Sequence, residues 1–530
     1  MMDVAPRGGA STGTFKGYVH TIQLDPPVLG NNLADAQRLE QALKKILATD
    51  HVHIPWALTR ELPRKLRDWD FEARALVFKD RRSWRVVALF PPEGEQPILG
   101  AAVDIGTTRI VLALVDLATG AVLGERGMDN PQGAVGPDVL ARIHHSRKPG
   151  GLVDLQARVI SGVNQTLARL CADLGYAVQD IYLFAGAGNT AMTHLFMGVE
   201  AWEIIREPYI PCMNTPDTQP AHRLGLELNP RGLAFLFPNI GSYFGGDLLA
   251  GILHADLDQR ETPALMVDVG TNAEIVVGSR DWLIACAGAA GPALEGGVSK
   301  MGMTAGPGVI DTVGLDPETR ELVIHTIEDE PPIGICGSGM IDLAAALFLS
   351  GRMDIRGKFH PPTCGPALVE EGLDDQGIPT LILVPGDESG TGRPITLTQV
   401  DLNSLTSSKA AMYTILEVIV QQTSGLAFEE LDTFYVAGTF GSYINPVSAI
   451  SIGMLPDLDT SVFQVLGNSS LGGCIRMLTH ADAFDRIMAL REGITYVELN
   501  VNQEFMNLFS GAKFYPHTDV SRFPSVQRIA

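Results

Sequence analysis

A chain of 530 residues is too long for one hydrophobic core, so two to four domains are expected. With 45% hydrophobic and 19% charged residues it reads as globular, not disordered. A formal net charge of −22 argues against DNA or RNA as the main partner, because phosphate contacts need a basic face.

In chain order, residues 1–14 read as a flexible tail. The N-terminus lacks a charged-then-apolar signal, and no 18-residue apolar stretch is free of charge. A cytoplasmic protein without a membrane partner is expected. Residues 15–97 form a linker and small N-terminal domain, with a strand over Tyr18–Leu24 and a helix over Asn32–Leu47. Further strands fall at Ala75–Phe78 and Trp84–Phe90, and Pro91-Pro92 marks the boundary. Between Arg60 and Arg85 nine Lys/Arg outnumber five Asp/Glu. That stretch reads either as a solvated surface or as a docking face for an acidic partner.

Residues 98–262 form a first lobe. The apolar strand Ala101–Asp104 stops at a glycine turn; Ile110–Val115 follows, then a turn at 116–120 and the strand Ala121–Leu123. Leu152–Leu174 is an amphipathic helix before the strand Ile181–Ala185. Residues 263–530 form a second lobe in which the same plan returns 164 residues later: Leu265–Val267, Asp268 and a glycine turn, Ile275–Val277, a turn, Trp282–Cys286. Met340–Leu349 is a strongly apolar helix, and residues 361–394 read as a surface insertion. Thr398 and Asp401 form a capping box before a helix whose apolar residues Met412, Ile415, Leu416, Ile419 and Val420 keep core-facing spacing.

Of the six cysteines, Cys171, Cys212, Cys286, Cys336, Cys364 and Cys474, no two lie closer than 28 residues. That spacing gives no zinc ribbon and no iron–sulfur run, so free, mostly buried thiols are expected.

Two loops carry chemistry: Asp104-Ile105-Gly106-Thr107-Thr108 and Asp268-Val269-Gly270-Thr271-Asn272. A strand ending in Asp-x-Gly-Thr sets a carboxylate at its carboxyl edge, where it holds magnesium through the ion's water shell. The glycine lets backbone N–H groups turn inward as an anion nest, and the threonine hydroxyls add donors without charge. One such loop is equally a plain strand-to-turn junction. Two of them, each opening a hairpin, point to ATP and magnesium held between two lobes. A third segment, Phe434–Ser442, runs from a strand into a glycine turn containing Gly438, Thr439 and Gly441. It lets backbone approach an adenosine face, or else is a tight turn at a sheet edge. A GxxxxGK[ST] sequence is absent, so this is not a P-loop enzyme.

The two Asp-Gly-Thr loops, Cys336-Gly337-Ser338-Gly339 opening a helix, and Ala437-Gly438-Thr439-Phe440-Gly441 resemble the actin, sugar-kinase and heat-shock chaperone superfamily of ATPases. Asn130-Pro131-Gln132, Gly136-Pro137-Asp138-Val139, Gly188-Asn189-Thr190, Gly291–Gly297 and Gly467-Asn468 resemble, within it, the reductive activators of corrinoid proteins. The resemblance, which extends from Gly17 through nearly the whole chain, implies an α/β fold. Two RNase H-like lobes would follow a small α+β linker region, in a homodimer. It also implies ATP hydrolysis that drives reduction of an inactive Co(II) corrinoid to Co(I) on a partner of a methyltransferase system. In that family the electron comes from an N-terminal domain whose 2Fe-2S cluster is held by four cysteines. The first cysteine here is Cys171, so no such cluster is expected in this chain. Either the sequence is shortened or an electron donor protein carries the redox centre.

The roles that follow are these. Asp104 and Asp268 hold magnesium-bound waters and serve catalysis. Gly106, Thr107, Thr108, Gly270, Thr271 and Asn272 contact phosphates. Glu274 pairs with a hydroxyl or a metal-bound water, or else makes a structural hydrogen bond. Gly337 and Ser338 join the nucleotide site, and Gly438, Thr439 and Gly441 border the nucleoside. His144-His145 reads as a solvated helix end rather than a metal site, His194 as structural or else as part of a corrinoid-facing surface, and Cys336 as a core thiol. Two other functions remain open: a small-molecule kinase, which needs an aspartate base, and a chaperone-like module in which nucleotide opens and closes a cleft.

Overall fold

The structure is a computed structural model that describes residues 17–81, 83–269, 273–288, 299–371, 377–438, 444–498 and 503–526. It divides into two compact units: Met1–His254 with Ser470–Arg491, and Ala255–Ser469 with Glu492–Ala530.

The first unit opens with β1 (Val19–Gln23), α1 (Asp35–Leu47), β2 (Val52–His53), α2 (Trp56–Thr59), α3 (Leu62–Asp68), β3 (Glu72–Lys79) and β4 (Trp84–Phe90). The apolar run of β4 and the buried residues of β3 place both strands in the middle of a sheet ordered β1-β3-β4-β2. In the basic stretch, Arg64 pairs with Asp68, Lys65 with Glu61 and Arg67 with Asp35. Pairs this exposed contribute little to stability.

Next come β5 (Leu99–Ile105), β6 (Arg109–Asp116), β7 (Val122–Asp129), α4 (Val139–Ser146), α5 (Gly151–Leu174), β8 (Ile181–Ala187), α6 (Thr190–Met197), β9 (Gln219–Pro220), β10 (Leu233–Leu236) and α7 (Gly246–His254). The first three strands form an antiparallel meander; β8 returns parallel to β5, and β10 parallel to β8. Strand order is β7-β6-β5-β8-β10-β9. The stripe Leu155, Val159, Val163, Leu167 and Leu170 of α5 joins Leu99, Val103, Ile110 and Leu112 in one core. Burial of such side chains is worth about 1.5–3 kcal/mol each. Residues 470–491 complete this unit from far along the chain. There the Cys474 thiol donates to Val103 O (3.4 Å), and a Cβ on Gly473 would meet Ala250 O at 2.1 Å. Only glycine allows that approach of the helix Ser469–Thr479 to α7.

The second unit begins with β11 (Ala264–Val269), β12 (Ala273–Ser279), β13 (Trp282–Gly288), β14 (Val309–Leu315), β15 (Leu322–Thr326), β16 (Gly334–Ile335) and α8 (Gly337–Leu349). It continues with α9 (Pro361–Cys364), β17 (Leu368–Glu371), β18 (Ile378–Val384), β19 (Ile395–Thr398), α10 (Gln399–Glu417), β20 (Thr433–Ala437), β21 (Phe463–Gly467) and β22 (Ile494–Glu498). Its main sheet is ordered β21-β20-β11-β12-β13-β22. A hairpin meander followed by two parallel strands on the side of its first strand is therefore common to both units. The duplication and the α/β architecture expected from sequence are present. Strands β17, β18 and β19 form a separate antiparallel sheet, with Leu381 and Val384 buried.

The capping box forms as expected: Asp401 N–H donates to Thr398 Oγ1 (3.1 Å), and Thr398 N–H to Asp401 Oδ2 (2.9 Å). Met412, Ile415, Leu416, Ile419 and Val420 are all buried. The α-helix ends at Glu417, however, and continues as a π-turn over Val418–Thr423, a feature that apolar spacing does not reveal. Among the described residues no helix is long and apolar enough to cross a membrane.

Candidate functional site

In the first unit the phosphate-loop sequence sits where β5 meets β6. Half-buried Asp104 stands opposite Val111 of β6 and Ala187 of β8, at the carboxyl end of two parallel strands. Gly106, Thr107 and Thr108 make the turn. A Cβ on Gly106 would lie 2.2 Å from Arg109 O, so no other residue fits this approach.

Asparagines hold the turn. Asn130 donates its backbone N–H to Thr108 O (2.7 Å) and its Nδ2 to Gly106 O (2.8 Å). Asn189, the cap of α6, accepts Met192 N–H at Oδ1 (2.9 Å) and donates from Nδ2 to Thr107 Oγ1 (3.0 Å). Beneath them Gln132 is fully buried, donating to Leu155 O (3.0 Å), and buried Arg142 reaches Gly136 O (2.8 Å) and Gln132 Oε1 (3.4 Å). The Asn130–Asp138 segment is thus a polar cradle for the loop.

Sequence reasoning missed a second carboxylate here. Asp247, in the first turn of α7, follows Gly245 and Gly246; the Gly246 and Asp247 N–H groups donate to Gly188 O (3.0 and 3.3 Å). A Cβ on Gly245 would stand 2.5 Å from the Asn189 Cα. Burial pushes the Cys474 thiol well above its ordinary range, and the charges of Asp104 and Asp247 push it the same way. The Gly-Gly-Asp signal was present, but it follows no obvious strand in the sequence.

In the second unit Asp268 is the penultimate residue of β11 and is paired with Glu274 of β12 and Ala437 of β20. Directly opposed residues of an antiparallel pair share a sheet face, so the two carboxylates stand side by side. Burial, then the charge of Glu274, raises the Cys286 thiol well above its ordinary range. Gly438 follows β20 with φ +83°, and a Cβ there would stand 2.8 Å from Asp268 Oδ1. The structure therefore brings Asp268, Glu274 and Gly438 together. Gly270, Thr271, Asn272, Thr439, Gly441 and the Gly291–Gly297 segment lie outside the described residues.

Gly337 and Ser338 open α8 and are buried. The Ser338 hydroxyl donates to Asp311 O (3.1 Å) and lies 3.1 Å from the Cys336 thiol. Cys336 is a buried thiol, as expected; Cys212 alone of the six cysteines is exposed, and all six are free. His144 and His145 fall in the last turn of α4, where His145 approaches Asp154 at 3.3 Å. His194 is fully buried; its Nδ1 lies 2.7 Å from Thr190 O, and Met213 N–H donates to its Nε2 (3.4 Å). It is structural. Among the described residues no three His, Cys, Asp or Glu side chains converge as a metal site.

Three family models match the chain in consecutive regions. The family model described as the C-terminal domain of RACo, the ASKHA domain, matches residues 262–527. The RACo middle region matches 99–260, and the RACo linker region 18–96. The corrinoid activation enzyme RamQ of Eubacterium limosum is 30% identical over 430 residues, 80% of this chain and 72% of the relative. The [Co(II) methylated amine-specific corrinoid protein] reductase of Methanosarcina barkeri is 24% identical over 449 residues, 77% and 76% of the two chains. A solved reductive activator for corrinoid, iron-sulfur protein superposes with a TM-score of 0.83 at 35% identity, covering 98% of this chain and 82% of its own.

Proposed function

The chain belongs to the family of reductive activators of corrinoid proteins, and from that premise we propose that it binds and hydrolyses ATP to drive reduction of a partner's Co(II) corrinoid to Co(I). The observation that carries the nucleotide part is Gly438, held at a positive φ against the Asp268 carboxylate at the end of β11. A backbone so exposed of side chain beside a strand-end carboxylate suits a nucleoside on one side and a phosphate-bound cation on the other.

Asp104 in the first unit and Asp268 in the second would each offer magnesium a half-buried carboxylate, the hard oxygen donor that the ion prefers. When bound, the ion neutralises phosphate charge. The chain's own part is positioning. Gly106, Thr107 and Thr108, with Gly270, Thr271 and Asn272, offer amides and hydroxyls to the phosphates, while Thr439 and Gly441 border the nucleoside beside Gly438. Glu274 would orient a water beside Asp268. Gly337 and Ser338 would act through the backbone amides of the first turn of α8, since the Ser338 hydroxyl is engaged by Asp311 O. Catalysis of this kind rests on placement and charge rather than covalent chemistry.

The partner in this reading is a corrinoid protein of a methyltransferase system, the electron comes from a donor protein acting with this one, and the working form is a cytoplasmic homodimer. ATPase activity that rises when a corrinoid protein is added supports the reading; activity indifferent to any corrinoid protein defeats it. A small-molecule kinase is the second reading, favoured by Asp247, whose backbone N–H donates to Gly188 O, one residue before the Asn189 that reaches Thr107. Transfer of the ATP phosphoryl group to an added small molecule would establish it.

A further inference from the structure

Asn130 and Asn189 have amide orientations that their own caps dictate. Asn130 Oδ1 accepts Gln132 N–H (3.0 Å), so its NH2 group must be what reaches Gly106 O. Asn189 Oδ1 accepts Met192 N–H (2.9 Å), so its NH2 group must be what reaches Thr107 Oγ1.

Each orientation has a consequence one atom further on. In a planar trans peptide the C=O and the following N–H point in opposite directions. Tying the Gly106 carbonyl to Asn130 therefore aims the Thr107 N–H away from the cradle. A threonine hydroxyl that accepts from Asn189 keeps its own proton for another acceptor. Thr107 is left presenting two donors, N–H and O–H, with no anionic side chain supplied to them by either asparagine. Buried Gln132 and Arg142 hold the cradle from behind, so the arrangement precedes any ligand.

We propose that Asn130 and Asn189 are positioning residues that set Thr107 as a two-donor subsite for a phosphate of the nucleotide. The inference rests on the ATP-binding function proposed above, and it assigns to these asparagines a function besides capping.

Asn189→Asp separates the two roles. Aspartate caps a helix as well as asparagine does. It cannot donate to Thr107, however; it takes the Thr107 proton for itself and adds negative charge. Calorimetric titration of the full chain with ATP and with adenosine, alongside thermal melts, reads the effect. We expect unchanged adenosine affinity and melting midpoint, and ATP affinity lower by roughly 10- to 100-fold, as for loss of a hydrogen bond to a charged group. Asn189→Ser, which keeps the cap oxygen without charge, should lower ATP affinity by about tenfold. It serves alone if the aspartate variant does not fold. Equal ATP affinity in the folded variants and the unaltered chain overturns this inference while leaving ATP binding intact. Failure of the unaltered chain to bind ATP overturns the proposed function and this inference together.

Discussion

Gly438 backs directly onto Asp268: a Cβ added to the glycine would stand 2.8 Å from the aspartate Oδ1 and 3.2 Å from Val269 O. Two constraints meet at one position, since φ there is +83°, a region that side chains disfavour. Gly438→Ala is expected to cost about 1–3 kcal/mol of local stability and to displace the carboxylate. Nucleotide titration and a thermal melt check it. Wild-type ATP affinity in that variant would mean that the Asp268–Gly438 contact has no part in binding.

Asp268→Asn and Asp104→Asn keep the shape of each side chain and remove its charge. If both aspartates orient water or cation rather than support the fold, ATP turnover should fall by about 100-fold or more while melting midpoints stay near those of the unaltered chain. A large loss of stability with proportionate loss of turnover would make them structural.

Thr398 caps α10 by accepting Asp401 N–H at 3.1 Å, and Asp401 answers through Thr398 N–H. Thr398→Ala should cost about 1 kcal/mol, within the usual range for a lost cap, without touching nucleotide affinity. Denaturation of the variant tests this, and an affinity change beyond twofold or so would tie α10 to the site.

His194 gives a pH signature. Burial lowers its pKa from the ordinary 6.5, with the Thr190 carbonyl opposing. The folded state therefore resists a proton that the unfolded state accepts. Stability should fall as pH drops below 6.5 toward the folded-state value and be unaffected by this group above it. His194→Gln removes that acid-side loss, so its melting midpoint should decline less than wild type between about pH 7 and about pH 5.5. Parallel declines would assign the acid sensitivity elsewhere, as to His20 or His517, whose pKa values burial also lowers.

What the sequence made legible was local. Strand β4 occupies the residues its apolar run marks, and the two Asp-x-Gly turns identify the hairpins of both units because their chemistry is contiguous. Strand β7 runs to Asp129, well past the apolar Ala121–Leu123, because its charged Glu125 and Arg126 pair along β6 without an apolar alternation to announce them. The return of residues 470–491 to the first unit was invisible, since it depends on Gly473 meeting Ala250 more than 200 positions away. The asparagine cradle was present as motifs, but its direction depends on hydrogen bonds between Asn130 and Gly106 and between Asn189 and Thr107 that only the fold supplies. Asp247 escaped notice for the same reason.

ATP-driven reduction can be followed by the absorbance of a corrinoid protein from a methyltransferase system, starting in the Co(II) state. The purified chain and a low-potential electron donor are added, with and without ATP and magnesium. Conversion to Co(I) is expected to require the chain and ATP together and to be lost in Asp268→Asn. Conversion at equal rate and extent without ATP, or none under any of these conditions while ATP phosphorylates a small molecule, would contradict ATP-driven reduction by this chain.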